Sequence, residues 1–270
     1  MVDVAELADR LIAAYDNATT LTPITEWAPA FDVDAAYAVL AEIERRRRAQ
    51  GWQPVGRKIG FTNRTIWPRY GVYRPMWAHV WQHTVQYAVD GRATLELGHF
   101  VQPRIEPEVV FGLAGRVPST DDAVEVLRHV VWMAPGFEIV QSHFPGWRFM
   151  APDCTAAFGL HGALVVGSRV PITDANREAV AALLPRFEVT LRRGGEVVDR
   201  GVGANVLGSP ALALAHLARV LDTQPVFPAL AAGELVTTGT ITDAWPVSRG
   251  ETWSSDYGEL GLESLQWRFI

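Results

Sequence analysis

Glu106 and Glu108 stand two residues apart in QPRIEPEVVFGL, followed by the apolar run Val109, Val110 and Phe111. Side chains alternate along an extended chain, so both carboxylates point to one face and Pro107 to the other. Two like charges entering a core are costly to bury unless something positive neutralises them. A third carboxylate, Glu138, lies in APGFEIVQS between Phe137 and Ile139, again where a buried strand is expected. Three carboxylates from two strands make an oxygen-only site for a hard cation such as Mg²⁺ or Mn²⁺. The plain alternative carries equal weight at this point: each glutamate pairs with an arginine, or the EPE pair faces solvent.

Lys58 in VGRKIGF supplies a cation. If the segment is extended, its same-face neighbours are Gly56 and Gly60, which leave open space for a ligand. Three glutamates, one lysine and a divalent ion sum to zero charge. A surface lysine on an edge strand is the commoner alternative. Asp153, in APDCTAAFGLHG, either lines the site or caps a turn, and the turn is favoured. His143 and His161 fall near the candidate site in sequence. GVGANV at 201–206 begins like a dinucleotide fingerprint, but Val206 holds the third glycine position and the reading is rejected. No serine or cysteine sits in an elbow motif, so a nucleophilic triad has little support. The ten tryptophans, Trp67, Trp77 and Trp81 among them, read first as core and interface and second as a pocket wall.

These residues need elements to position them. Val4, Leu7, Leu11 and Tyr15 predict a first helix, and Pro23 and Pro29 break the segment 18–30. A second helix fits 33–50 with Asp32 as N-cap, and Gly51 stops it. Its Arg45–Arg48 run reads as a solvated helix end suited to the dipole, not a nucleic-acid patch. From Pro54 onward short apolar runs separated by Gly and Pro predict strands at 54–61, 84–90, 104–112, 136–142, 161–167, 187–192, 196–200, 234–241 and 262–269. Pro107 implies an edge or a bulge. Gly194-Gly195 marks a hairpin. Helices are predicted over 121–133 and from Ser209-Pro210 onward. The fold class is α+β: an N-terminal helical segment at 1–53, then a catalytic domain at 54–270 with a mostly antiparallel, rolled or barrel-like sheet.

The bulk properties narrow the partners. The 270 residues are 49% hydrophobic with a net charge of −6, which offers nothing to nucleic acid or anionic membranes. One cysteine, Cys154, excludes an intramolecular disulfide. The N-terminus lacks a signal-peptide pattern, and no run reaches the ~20 apolar residues of a membrane helix. A cytoplasmic protein is expected, and its many aromatics suggest a homo-oligomer.

Taken together, GRKIGFTN at 56–63, QPRIEPEVVF at 102–111 and APGFEIVQSHFPGWRF at 134–149 resemble the 2-keto-4-pentenoate hydratase and 2-oxo-3-hexenedioate decarboxylase family, within the fumarylacetoacetate hydrolase superfamily. So do GVGANVLGSPALALAHLA at 201–218, GELVTTGTITDAWPVSRGE at 233–251 and the closing GLESLQWRFI. The pieces run in family order from about residue 20 to the end. The resemblance implies a mixed β-roll with a metal at its mouth, ligand roles for Glu106, Glu108 and Glu138, and an active-site role for Lys58. It also implies a small 2-oxo or enol carboxylate substrate, for which Asp153, His143 and Thr240 are the candidate contacts in this sequence. Two departures touch the pocket: AAFGLHG at 156–162 replaces an ADNAS-like stretch, and His143 stands where an arginine is common. The expected reaction is hydration of a 2-hydroxy-2,4-dienoate from aromatic-compound breakdown. Decarboxylation of a 2-oxo-3-enedioate comes second and C–C hydrolysis of an acylpyruvate-like substrate third. A partner subunit of such an enzyme is the non-catalytic alternative.

Overall fold

A computed structural model describes residues 2–270. Helix α1 (Val4–Asp16) begins at Asp3, whose carboxylate accepts from the amides of Ala5 and Glu6. After α2 (Ile24–Trp27), a single turn inside the expected break, α3 (Val33–Ala49) opens on Asp32, which accepts from the Ala35 amide at 2.8 Å. Such side-chain oxygens satisfy amides that have no partner within the helix. In the arginine run Arg45 and Arg48 are exposed as expected, and Arg47 departs from that expectation. Arg47 is only 2% exposed; it stacks 4.0 Å above Trp52 and pairs with Asp16, tying α3 to α1.

The remaining helices are α4 (Trp67–Tyr70), α5 (Ala123–Leu127), α6 (Ala151–Ala156), α7 (Arg177–Leu183) and α8 (Pro210–Asp222). The first strands are β1 (Pro54–Gly60), β2 (Met76–Trp81), β3 (Val85–Tyr87), β4 (Arg92–Leu95), β5 (Arg104–Leu113), β6 (Val130–Val140) and β7 (His161–Val166). They are followed by β8 (Val170–Pro171), β9 (Glu188–Arg193), β10 (Glu196–Val202), β11 (Leu235–Thr237), β12 (Trp245–Pro246), β13 (Thr252–Asp256) and β14 (Leu265–Phe269). One curled sheet runs β2-β1-β11-β5-β6-β7-β3, with β12 beside β5 and β8 beside β6; a second runs β10-β9-β13-β14-β4. Gly194 and Gly195 turn β9 into β10 with φ of +57° and +93°, a conformation glycine adopts without steric cost.

Several expectations shift. The helix expected over 121–133 stops at Leu127, and β6 starts at Val130, six residues before the strand expected there. Its first residues pair with the far end of β5, Met133 opposite Phe111, so β pairing overrides a helical spacing. The strand expected over 234–241 pairs only at Leu235–Thr237, and β2, β4, β8, β12 and β13 lie outside the expected strands. Ser209 precedes α8 as expected, yet its hydroxyl makes no cap bond.

Pro107 is not at a sheet edge, because β5 lies between β11 and β6. Its carbonyl accepts from the Ile241 amide at 3.1 Å, and in a strand the N and C=O of one residue share a side. On that side β11 pairs with Val110–Gly112 and β12 with Arg104–Ile105, leaving a gap at Pro107. The missing N–H faces the gap, so β6 pairing continues undisturbed.

The N-terminal helices are not a detached unit. Leu7, Leu11 and Ile43 share one apolar cluster with Phe61, Ile66 and Leu160, which line the cavity beside Lys58 and Glu106. Among the described residues no helix is long and apolar enough to cross a membrane.

Candidate metal centre

The register of β5 against β6 sets Glu106 opposite Glu138 and Glu108 opposite Gly136. Each of the three glutamates offers one carboxylate oxygen, and these oxygens all lie within 4.8 Å of one another. Lys58 arrives from β1, which reaches β5 through β11. It is 2% exposed, with Nζ 3.2 Å from Glu138 and donating to the Gly159 carbonyl at 3.0 Å. Glu106, Lys58 and Thr240 line a narrow cavity walled by Phe61, Tyr70 and Trp147.

Two of the carboxylates are held by one oxygen each. Glu108 Oε2 accepts from the Gly239 amide at 2.6 Å and from the Thr237 hydroxyl, while Oε1 has no hydrogen-bond partner among the described residues. Gly239 is required there: its φ is +99°, and a Cβ would meet the Thr62 hydroxyl at 1.9 Å. Glu138 Oε1 meets His161 Nδ1 at 2.7 Å, and Oε2 makes no hydrogen bond, only the Lys58 contact. The Tyr257 hydroxyl bridges the carbonyls of Glu108 (3.0 Å) and Gly136 (2.9 Å), pinning the backbone beneath.

The electrostatics follow from this crowding. Burial, and then the Glu138 charge, push Glu106 up to about 7 against the pull of Lys58 and Arg104. Burial and the charges of Glu138 and Glu106 raise Glu108 well above the usual carboxylate range. Burial also penalises the Glu138 anion, but Lys58 and His161 outweigh it and hold that group low. For Lys58, burial opposes the ammonium, and the three carboxylates more than restore it. One lysine thus faces three carboxylates, and two of these keep a buried oxygen without a hydrogen bond. Among the described residues no arginine lies within 4.0 Å of the three glutamates, Glu138 pairs instead with Lys58 and His161, and the EPE pair is buried. An oxygen-only set short of positive charge fits a hard divalent cation.

The other candidates divide. Thr240 belongs to the cavity wall; Asp153 and His143 do not. Asp153 accepts from the Thr25 amide (2.9 Å), the Thr25 hydroxyl (2.7 Å) and the Met150 amide (2.8 Å), so it fastens α2 to the start of α6. His143 is buried with Nδ1 2.9 Å from the Thr19 carbonyl. Asp153→Ala is therefore expected to destabilise the protein by about 2–3 kcal/mol in a urea melt while leaving metal affinity in place. An unchanged melt with lost metal would return Asp153 to the site. Gly56 does not open space beside Lys58; a Cβ there would lie 1.9 Å from the Leu235 carbonyl, so it lets β11 approach. Gly60 does face the lysine, its Cβ direction ending 3.4 Å from Nζ.

The AAFGLHG stretch wraps the site. Phe158 packs against Tyr15 at 4.5 Å, Gly159 holds Lys58, and His161 holds Glu138. Sequence reading also passed over Arg104, two residues before Glu106 on the same face of β5. Its guanidinium donates to the Tyr70 hydroxyl and lies 4.2 Å over Trp147, with no carboxylate within 4.0 Å among the described residues. The alternation R-I-E-P-E carries that signal.

Residues 74–262 match the fumarylacetoacetate (FAA) hydrolase C-terminal family. The chain is 29% identical to the 2-hydroxyhexa-2,4-dienoate hydratase of Comamonas testosteroni, covering 95% of this chain and 94% of that one. It is 30% identical to the 2-keto-4-pentenoate hydratase of Paraburkholderia xenovorans (strain LB400), covering 95% and 91%. A 4-oxalocrotonate decarboxylase from Pseudomonas putida G7, solved in complex with magnesium and adipate, superposes with a TM-score of 0.87 at 26% identity, over 99% of this chain and 97% of that one. The extent of these matches, over a curled sheet of the same kind, places the chain in the fumarylacetoacetate hydrolase family.

Proposed function

We propose that this chain is a divalent-metal-dependent lyase that adds water to a 2-hydroxy-2,4-dienoate. The observation that carries the reading is the convergence of three carboxylate oxygens beside one buried lysine. Its hydratase relatives support the reaction class, and the magnesium-bound neighbour supports Mg²⁺ or Mn²⁺ as cofactor. Glu106, Glu108 and Glu138 would hold the ion, which when bound supplies Lewis-acid polarisation of a 2-oxo carboxylate.

The chain's own residues do the rest. Thr237 and Gly239 fix Glu108 so that its other oxygen is presented without rearrangement. Lys58 Nζ, held by Gly159, sits beside the carboxylates at the cavity wall, placed to hold an enolate oxygen or relay the proton that ketonises the dienol. Phe61, Tyr70 and Trp147 form an apolar wall that limits water to what the reaction consumes. The reading carries with it a cytoplasmic, self-associating enzyme. Exposed Trp27, Tyr73, Tyr87 and Val226 support the self-association.

A second reading, decarboxylation of a 2-oxo-3-enedioate, is favoured by Arg104. That guanidinium lacks a carboxylate partner and stands on the Glu106 face, where a second substrate carboxylate could pair with it. The test is the product. Chelator-stripped protein given Mg²⁺ and 2-hydroxypenta-2,4-dienoate is expected to yield 4-hydroxy-2-oxopentanoate, identified chemically because ketonisation alone also bleaches the dienol. CO₂ from 2-oxo-3-hexenedioate, without that product, would move the assignment to decarboxylation. Failure to bind any divalent ion would end both readings.

A further inference from the structure

His161 is buried at 1% exposure, and the chemistry proposed above makes no use of it. Both ring nitrogens are engaged. Nδ1 lies 2.7 Å from Glu138 Oε1, and Nε2 lies 2.8 Å from the Thr84 hydroxyl, which in turn sits 2.9 Å from the Trp81 carbonyl. The backbone leading into the histidine is bent to place it. Phe158, Gly159 and Leu160 take φ of +54°, +58° and +64°, a left-handed run that two of the three residues adopt at a cost. That one turn sets the Gly159 carbonyl on Lys58 and the His161 ring on Glu138. Burial alone requires that both nitrogens be satisfied; what it does not require is that one of the partners be a carboxylate of the cluster.

We propose that His161 is a positioning residue for Glu138. By clamping Oε1 it leaves Oε2 as the oxygen presented to Glu106, Glu108 and Lys58, and so sets how tightly the centre holds its ion. The inference rests on the metal-centre reading given above. A carboxylate already fixed in its binding orientation loses less freedom when the ion arrives, and partners of ligating groups commonly tune affinity in this way. Thr84 fixes the ring at its far nitrogen.

The experiment measures Mn²⁺ affinity by calorimetry and the electron paramagnetic resonance spectrum of bound Mn²⁺, with circular dichroism as control for folding. His161→Ala is expected to weaken Mn²⁺ binding by about 10- to 100-fold and to change the spectrum. His161→Asn, whose amide nitrogen takes the place of Nδ1, should recover most of the affinity. His161→Gln, whose amide falls at the place of Nε2, should recover little, and Thr84→Val should weaken binding modestly. A folded alanine variant with wild-type affinity and spectrum would overturn the inference. So would equal behaviour of the asparagine and glutamine variants, a contrast that decides the matter even if the alanine variant fails to fold. Wild-type protein that binds no Mn²⁺ would instead overturn the metal-centre reading itself.

Discussion

Glu108→Gln is expected to abolish divalent-metal binding and to lower turnover by roughly a thousandfold or more, while raising the melting temperature of the metal-free protein. The activity loss follows from losing an ion worth several kcal/mol to the transition state, at about 1.4 kcal/mol per tenfold in rate. The stability gain follows from the site itself. Glu108 is fully buried between Glu106 and Glu138, and glutamine keeps an oxygen for the Thr237 hydroxyl and the Gly239 amide while removing the charge. The sign with pH is also fixed. Glu106 is raised from 4.5 to about 7 and Glu108 is raised as well, so the folded chain holds protons that the unfolded chain releases. In chelator-treated wild-type protein the stability contributed by Glu106 and Glu108 should therefore be fully present below about 4.5 and be lost as the pH rises through about 7, while Glu138, held low, contributes with the opposite sign. The glutamine variant should lose less. Thermal melts across that range, with and without Mg²⁺, read all of this; Mg²⁺ should stabilise only the wild type. A variant still stabilised by Mg²⁺, or one whose metal-free form melts well below wild type, would contradict the assignment.

The cluster was legible because its anomaly is local. Two glutamates at a spacing of two, ahead of an apolar run, and a third flanked by Phe137 and Ile139, are misplaced by any ordinary rule of burial. The lysine flanked by glycines is a similar local oddity, although only Gly60 faces it and Gly56 serves the packing of β11. The roll itself was readable from short apolar runs and turn residues. What holds the carboxylates was not readable. Thr237 and Gly239 lie about 130 residues from Glu108, at the end of β11 and just beyond it, where the chain turns into the gap beside Pro107. His161 and Asp153 show the same limit from opposite sides. Both are polar residues in one stretch, yet Asp153 in α6 turns onto Thr25, while His161, past the left-handed turn at 158–160, turns onto Glu138. The start of β6 differs for a related reason, since the helical spacing expected over 121–133 says nothing of the strand waiting to pair with it.

Lys58→Met is expected to reverse the pattern seen for the glutamates: turnover falls about a hundred- to ten-thousandfold, while metal binding persists and tightens. With the ammonium gone, three carboxylates face the ion without a competing cation 3.2 Å from Glu138, so the attraction for a divalent ion grows. The rate falls because the lysine is the cavity's only ammonium and the group held ready beside the substrate. Arginine should not rescue it. The ammonium is fully buried, donating to the Gly159 carbonyl at 3.0 Å and lying 3.2 Å from Glu138, and arginine's longer, planar fork does not place a point charge at that spot. Metal titration together with kcat for the methionine and arginine variants separates the two roles. Loss of the ion along with activity would make Lys58 a structural partner of Glu138. Near-wild-type kcat with the ion bound would remove it from the chemistry and leave the three carboxylates, with whatever water they admit, to carry the reaction.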